Sequence, residues 1–266
     1  MRILVTNDDG IRSRGLWTLV TELKKIASIT VIVPDIERSG IGTALSLLEP
    51  LQVKEATPTV NGVTTYTVDG TPSDCVILAM GKLVRERVDL VVSGINNGSN
   101  LGEDVYISGT VGSALQGYFR GSPALAVSVP RNSTAGLETA ARTAAVLAER
   151  ITAAPEPTRV LLNVNAPDLP PSGIAGIKIT RLARTSHINT VEEGDFGRQK
   201  NFHLMRQQTG DPPEKGTDIY VKERGFVSIT PLFTSLYDRP PRRFLESLCA
   251  DLLQQVRDGY NVKYPG

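Results

Sequence analysis

Residues 2–10 read Arg2-Ile-Leu-Val-Thr-Asn-Asp-Asp-Gly10, a short apolar run that stops in polar residues. The apolar part, Ile3-Leu-Val5, does not alternate with polar residues, which predicts a central strand buried on both faces. In an open parallel sheet, the carboxyl ends of the strands border the ligand crevice. The stretch therefore predicts an α/β fold in which Asp8 and Asp9 lie at the edge of the sheet.

The two adjacent acids need a physical explanation. Asp8 and Asp9 repel each other, and burial would raise the pKa of at least one of them. A bound cation removes this penalty, and carboxylate oxygens favour hard ions such as magnesium, manganese or calcium. The alternative is a solvated turn with Asp9-Gly10 at its corner. The stretch by itself leaves both interpretations open.

Composition limits the class of protein. The chain has 266 residues, 40% of them hydrophobic, with 29 Lys and Arg against 28 Asp and Glu. This near-balance argues against a nucleic-acid partner. The two cysteines, Cys75 and Cys249, lie far apart and suggest buried thiols, not a disulfide framework or zinc site. The N-terminal residues lack a signal-peptide pattern, and no apolar run is long enough to span a bilayer, so we expect a cytoplasmic protein without a membrane partner.

Strand and helix patterns alternate along the chain, which predicts a Rossmann-like three-layer core with a mainly parallel sheet, forming one domain over residues 1–266. Residues 185–216 are polar and glycine-rich and too long for an ordinary connection, so we expect an extended β-hairpin arm or lid there. Residues 233–266 are expected to form a C-terminal helix and tail. The other predicted strands are 29–33, 47–56, 60–68, 88–92, 124–129 and 159–165. Of these, 47–56 and 60–68 are expected to pair across an Asn61-Gly62 turn. The other predicted helices are 15–27, one that starts at Thr71-Pro72, 111–119 and 134–151.

Four polar clusters follow these strands or open the next helix. They are Asn7-Asp8-Asp9-Gly10, Ser39-Gly40, Ser93-Gly94-Ile95-Asn96 and Ser108-Gly109-Thr110. Each alone is ordinary turn material. Together they are expected to converge on one rim of the sheet.

The chemistry of the clusters is complementary. Asp8 and Asp9 supply charge for a divalent ion, and Ser39 and Asn96 supply neutral oxygens that complete a hard-cation shell. The segment Ser108-Gly109-Thr110 at a helix start offers N–H groups and a hydroxyl as an anion cradle. A cation beside such a cradle suits phosphoryl chemistry. The only two histidines, His187 and His203, lie in the polar segment and give little support to a catalytic triad or zinc site.

These residues resemble the SurE survival protein family, whose members act as 5'-nucleotidases. The resemblance spans most of the chain in family order. It includes Ile3-Leu-Val-Thr-Asn-Asp-Asp-Gly10, Arg38-Ser39-Gly40, Asp69-Gly-Thr-Pro-Ser-Asp-Cys75, Ser93-Gly-Ile-Asn-Asn-Gly-Ser-Asn-Leu-Gly102, Asp104-Val105, Ser108-Gly-Thr-Val111 and Gly225-Phe-Val-Ser-Ile-Thr-Pro-Leu232.

The resemblance implies one divalent metal ion per subunit, Mg²⁺ or Mn²⁺, bound by Asp8, Asp9, Ser39 and Asn96. It also implies a homodimer or homotetramer, formed through the arm and a swapped C-terminal helix. Ile107 stands where the family commonly has tyrosine, which bears on base or sugar contacts and not on the metal shell. The residues expected at the phosphate are Gly40, Asn96, Ser108, Gly109 and Thr110.

The leading hypothesis is a metal-dependent phosphomonoesterase for nucleoside 5'-monophosphates, in which Asp8 or Asp9 orients or deprotonates a metal-activated water. A receiver-like signalling module also has an acidic pair after its first strand. It would need an aspartate and a lysine after later strands, where Ser93-Gly94 and Pro130-Arg131 stand instead. A non-catalytic metal-binding scaffold remains a third interpretation.

Overall fold

A computed structural model describes residues 1–154, 159–185, 188–196, 199–206 and 212–233. Its strands and helices are β1 (Arg2–Thr6), α1 (Arg14–Leu23), β2 (Ser28–Pro34), β3 (Val53–Glu55), β4 (Thr64–Val68), α2 (Pro72–Leu78), β5 (Leu90–Asn97), α3 (Gly109–Phe119), β6 (Ala124–Val129), α4 (Ala135–Thr152), β7 (Leu161–Asn165), β8 (Gly176–Ile179), β9 (Ile188–Phe196), β10 (Gln199–Arg206), α5 (Asp218–Glu223) and β11 (Phe226–Pro231). A π-helical turn, Ala79–Leu83, follows α2, and a 3-10 helix, Gly102–Ile107, precedes α3.

Nine of these strands form one sheet in the order β3-β4-β2-β1-β5-β6-β7-β11-β8. Most neighbours are parallel, and the antiparallel pairs are β3 with β4 and β7 with β11. The expected α/β fold with a mainly parallel sheet is confirmed.

The apolar run of β1 explains the layers. Ile3 and Val5 face a core that includes residues of α1 and α4, whereas Leu4 faces a second core that includes residues of α2 and α3. All three side chains are fully buried. Successive residues of a strand point to opposite faces, so an unbroken apolar run fills both interlayer spaces at once.

The position of β1 in the sheet determines where a crevice can form. β1 pairs with β2 on one side and with β5 on the other, both in parallel. The chain steps from β1 outward to β2, and later from β5 in the opposite direction to β6 and β7. Connections leave the carboxyl ends of β1 and β5 in different directions, which makes their junction a topological switch point.

The crossovers at α3 and α4 differ in hand. The β5–α3–β6 and β6–α4–β7 connections step in the same direction across the sheet, yet α3 and α4 pack in different cores. The β1–α1–β2 unit steps across the sheet in the opposite direction, and α1 packs in the same core as α4. Both the direction and the face are reversed relative to β5–α3–β6, so these two units have the same hand. The β6–α4–β7 unit is therefore the one that departs from the common hand, an uncommon arrangement for parallel strands.

Several element boundaries differ from the sequence predictions. α1 ends at Leu23 and not at residue 27, because the N–H groups of Lys25 and Ile26 bond three residues back, to Glu22 and Leu23, and not four residues back as in an α-helix. β5 continues beyond the apolar run to Asn97, because pairing with β6 resumes after a register shift. β3 begins only at residue 53, and an eight-residue connection joins it to β4 where we expected a tight turn.

β8 was missed in the sequence analysis. It is an edge strand whose residues are half-buried or exposed, so it carries no pattern of alternating burial. Its parallel pairing with β11 is a long-range contact that local sequence does not encode.

Within the polar segment 185–216, β9 and β10 pair antiparallel as a separate two-stranded sheet. Its role as an arm or lid stays a prediction. The chain divides into two units, residues 1–232 and 233–266. The predicted C-terminal helix, His187 and Cys249 lie outside the described residues, whereas Cys75 is buried with a free thiol. Among the described helices, none has the length and apolar character required to cross a bilayer.

The start of α4 depends on a carboxylate from a distant part of the chain. Thr134 precedes the helix but its side chain makes no capping bond. Instead, Asp168 Oδ1 accepts hydrogen bonds from the Ser133 hydroxyl at 2.7 Å and from the N–H groups of Gly136 at 3.0 Å and Thr134 at 3.1 Å. The Ser133 hydroxyl, together with the Gly136 N–H, lowers the pKa of Asp168.

We expect Asp168→Ala to lower the free energy of unfolding by about 1 kcal/mol near neutral pH, as for other lost helix caps. Because folding lowers the pKa of Asp168, its ionised form stabilises the folded protein. This contribution to the free energy of unfolding is complete above the ordinary aspartate pKa, and it is lost as the pH falls through the lowered pKa of the folded state. Urea denaturation of both proteins across acidic pH measures this difference. Thr134→Ala is the matched control, since its hydroxyl caps nothing, and equal losses in both variants would contradict the capping role.

Candidate active site

The carboxylate of Asp8 lies at the carboxyl end of β1, against the first turn of α3. The Thr110 hydroxyl donates to Asp8 Oδ1 at 2.6 Å, and the Thr110 N–H donates to Oδ2 at 3.2 Å. A Cβ atom on Gly109 would lie 2.9 Å from Asp8 Oδ2, so only glycine allows this approach. β1 and α3 therefore meet through a fixed, buried carboxylate.

Asp9 is held by different groups and is only half-buried. The Asn97 N–H donates to Asp9 Oδ2 at 3.2 Å, and the Ser13 hydroxyl approaches the same oxygen at 3.5 Å. Ser13 also accepts from the N–H of Leu16 and so caps α1. The end of β5 and the start of α1 thus both contact Asp9, as expected at a switch point.

Burial raises the pKa of both acids. Burial raises the pKa of Asp8 to about 6, with a further rise from the charge of Asp9, while the Thr110 hydroxyl opposes the change. Burial also raises the pKa of Asp9; the Asn97 N–H opposes this, and the charge of Glu37 adds to it. Both carboxylates are therefore held where ionisation is unfavourable, and positive charge between them would stabilise the ionised pair.

The loop after β2 reaches the acidic pair through its backbone. The Arg38 N–H donates to the carbonyl oxygen of Asp8 at 2.8 Å. Ser39, the next residue, is exposed, and its hydroxyl donates to Glu37 Oε1 at 2.7 Å. Gly40 follows with φ +73° and open space around it. The Arg38 N–H brings the loop to the site, but the Ser39 hydroxyl bonds to Glu37 and not to Asp8 or Asp9.

Asn96 lies on the same rim near the end of β5. Its amide nitrogen donates to the carbonyl oxygen of Gly98 at 2.6 Å, which leaves the amide oxygen as the atom able to bind a cation. The following loop is fixed by Asn100, whose N–H donates to Asn165 Oδ1 at 3.0 Å and whose carbonyl accepts from the Asn163 amide at 2.8 Å. A buried amide network thus anchors the loop that follows Asn96.

The donor set fits a hard divalent cation. Within the described residues there is no cluster of three or more His, Cys, Asp or Glu side chains able to hold a metal. A metal here would need the two carboxylates of Asp8 and Asp9 together with neutral oxygens, for which Ser39 and Asn96 are the sequence-based candidates. Carboxylate, hydroxyl and amide oxygens are ligands that magnesium and manganese accept. The ligand assignment stays a prediction.

The segment Ser108-Gly109-Thr110, which we expected to bind phosphate, also makes hydrogen bonds within the protein. Thr110 donates both its N–H and its hydroxyl to Asp8, and the Ser108 hydroxyl oxygen caps α3 by accepting from the Val111 N–H at 3.1 Å. The segment therefore orients Asp8. Phosphate binding by Gly40, Asn96, Ser108, Gly109 and Thr110 stays a prediction.

Three residues near the acids were not identified in the sequence analysis. Glu37 and Arg131 act on the pKa of Asp9, the former raising and the latter lowering it. Asn132, with φ +60°, donates its N–H to Asn97 Oδ1 at 2.8 Å. Arg131 and Asn132 follow β6 on the same rim, so the rule that residues beyond strand ends line the crevice could have found them.

Comparisons with known proteins agree with this fold. The family model described as "Survival protein SurE" matches residues 3–189. A protein named 5'-nucleotidase SurE from Dehalococcoides mccartyi (strain ATCC BAA-2266 / KCTC 15142 / 195) is 46% identical over 259 residues, covering 97% of this chain and 98% of that protein. The 5'-nucleotidase SurE of Vibrio parahaemolyticus is 41% identical over 249 residues, covering 93% and 94%.

A solved structure gives the same result for the fold. The crystal structure of SurE protein from Aquifex aeolicus aligns with a TM-score of 0.78 and 32% identity, covering 95% of this chain and 100% of that chain. The family resemblance noted from the sequence is confirmed.

The contact between Gly109 and Asp8 generates a stability prediction. In Gly109→Ala the new methyl group would press on Asp8, and we expect a net loss of stability, because overpacking costs roughly 1–3 kcal/mol against a gain of at most about 1 kcal/mol in helix propensity. Gly81→Ala is the control, since a Cβ atom there meets nothing within 4 Å. Urea denaturation compares the two, and a Gly109→Ala protein as stable as Gly81→Ala would contradict the close packing.

Proposed function

The chain belongs to the survival protein SurE family, and from this membership we propose that it is a metal-dependent phosphomonoesterase that hydrolyses nucleoside 5'-monophosphates. The observation that carries the proposal is the acidic pair at the switch point between β1 and β5, formed by the buried Asp8 and the half-buried Asp9. Relatives that share most of this chain are named 5'-nucleotidase. The proposed products are the nucleoside and inorganic phosphate.

Asp8, Asp9, Ser39 and Asn96 would hold the metal ion, proposed as Mg²⁺ or Mn²⁺. When bound, a divalent ion supplies Lewis-acid stabilisation of phosphoryl charge and makes a coordinated water more acidic. In this reaction the oxygen of water forms a new bond to phosphorus, the ester P–O bond breaks, and the 5' oxygen of the nucleoside takes up a proton.

The two acids are suited to different tasks. Thr110 fixes both oxygens of Asp8, so this side chain has one orientation and serves as a stable ligand and charge. Asp9 is more accessible, and its described hydrogen bonds both end on Oδ2. We therefore favour Asp9 Oδ1 as the atom that receives a proton from the attacking water.

The surrounding groups would orient the substrate. The first turn of α3 presents the positive end of a helix dipole toward the rim, which favours a phosphate group there. Arg131 adds a positive charge near Asp9. Tyr106 and Ile107 are exposed directly before Ser108, so apolar surface lies next to the proposed phosphate site. A nucleoside monophosphate combines an anionic group with an apolar base and matches this surface.

The described β-hairpin supports the proposal of a homodimer or homotetramer. β9 and β10 pair only with each other among the described strands. Val191 and Phe202, one on each strand, expose apolar side chains. Because an isolated two-stranded hairpin is marginally stable in water, contact with a second copy would stabilise it.

We expect phosphate release from nucleoside 5'-monophosphates to stop on chelation and to return with added Mg²⁺ or Mn²⁺. In Asp8→Asn and Asp9→Asn, kcat/KM should fall by at least about a hundredfold, since each removes a charge from the reacting centre. Asp35→Asn is the control, because Asp35 is an exposed acid on the same rim. A colorimetric phosphate assay over a nucleotide panel measures all four proteins.

Turnover that survives chelation, or equal activity in Asp8→Asn and Asp35→Asn, would contradict the proposed chemistry. Labelling by acetyl phosphate would indicate the receiver-like alternative instead. Metal binding without turnover of any nucleotide would indicate the scaffold.

A further inference from the structure

Asp218, at the start of α5, is a fully buried acid outside the candidate active site. Its carboxylate accepts hydrogen bonds from the backbone N–H groups of Gly102 at 2.8 Å, Ala183 at 2.9 Å and Ile219 at 2.9 Å. Two of these donors lie far from Asp218 in the chain. One follows β5, and the other precedes the β9–β10 hairpin.

Capping of α5 does not explain these long-range bonds. Thr217 already caps this helix, because its hydroxyl oxygen accepts from the Tyr220 N–H. A buried carboxylate is unfavourable unless donors compensate it. Asp218 has three backbone donors, and two of them hold other segments in place. Its role is therefore to join three parts of the chain.

Apolar packing reinforces the same junction. A small buried apolar cluster lies at the same junction. It consists of Leu101, Ala183 and Ile219. The Glu103 N–H donates to the Thr185 carbonyl at 2.9 Å. A Cβ atom on Gly102 would lie 2.3 Å from the same oxygen, so the two backbones touch. The residues before the hairpin and those after β5 are thus packed directly against each other.

The junction continues directly into the candidate active site. Gly102 opens the 3-10 helix Gly102–Ile107, and Ser108 then caps α3. At the far end of this short helix, the Gly42 N–H donates to the Ile107 carbonyl at 2.9 Å. A segment held at both ends places Ser108 and, two residues later, Thr110. Thr110 in turn orients Asp8.

We propose that Asp218 is a positioning residue for the reaction. Its carboxylate fixes Gly102, and through residues 102–107 it fixes the first turn of α3 against Asp8. The same carboxylate accepts from the Ala183 N–H and so links the segment that precedes the β9–β10 hairpin to this turn. The catalytic part of this inference rests on the proposed phosphatase function, whereas the structural part does not.

Asp218→Asn tests the link, because it keeps the size of the side chain but replaces one acceptor oxygen by an NH₂ group that cannot accept. Amide hydrogen exchange should become about tenfold faster at Thr110 and Val111, as expected for the loss of one buried hydrogen bond. In the phosphate assay, kcat should fall by about tenfold or more with KM changed by less than about twofold, because misplacement affects the transition state more than binding.

Thr217→Val is the matched control. It removes the cap of α5 one residue away and leaves the bonds of Asp218 in place. We expect faster exchange within α5, with Thr110, Val111 and kcat as in the parent protein. If Thr217→Val reproduces the changes of Asp218→Asn, or if Asp218→Asn leaves exchange at Thr110 and Val111 unchanged, the proposal is overturned.

Leu101→Val provides a second variant if Asp218→Asn does not fold. It trims the same junction without altering a charge, and it should accelerate exchange at Thr110 in the same direction. Unchanged exchange there would also overturn the proposal. A parent protein that releases no phosphate from nucleotides would refute the proposed function alone, because the exchange measurement requires no turnover.

Discussion

The site depends on how the buried carboxylate of Asp8 is satisfied. Thr110 donates to both of its oxygens, and Gly109 gives the backbone of α3 the space to approach. This contact joins the central strand β1 to α3, the helix that follows β5, at the point where the order of the strands in the sheet reverses. An unpaired carboxylate at this depth would be strongly unfavourable, so the position of α3 and the ionisation of Asp8 are coupled.

The neighbouring loops are held to this contact mainly through their backbones. The backbone N–H of Arg38 donates to the carbonyl of Asp8, and that of Asn97 donates to the carboxylate of Asp9. The backbone N–H of Asn132 donates to the side-chain oxygen of Asn97. Backbone N–H groups are placed by the fold and have little rotational freedom. The polar rim is therefore positioned by the backbone although it is built from loops, and electrostatic catalysis requires groups positioned in this way before the reaction.

Charge connects this geometry to the proposed function. Asp8, Asp9 and Glu37 bring three acids to one rim, and Arg131 is the positive side chain that acts on the pKa of Asp9. A divalent ion would balance the acidic pair, and the dipole of α3 would favour a phosphate opposite it. The fold also transmits constraints from a distance, since Asp218 holds Gly102 and Gly42 holds Ile107, the two ends of the 3-10 helix that leads into α3.

The sequence by itself determined the layered α/β fold, because the run Ile3–Val5 must fill two cores and the apolar stripes of α1 and α4 must cover a sheet. It also located the acidic pair and the polar clusters, because residues beyond parallel strands share one rim. Only the tertiary structure decided that Thr110 holds Asp8, that Asp168 caps α4, and that β8 pairs with β11 at an edge. These are contacts between residues far apart in the chain, and their formation depends on distance and orientation in the folded protein, which local patterns of apolar and polar residues do not encode.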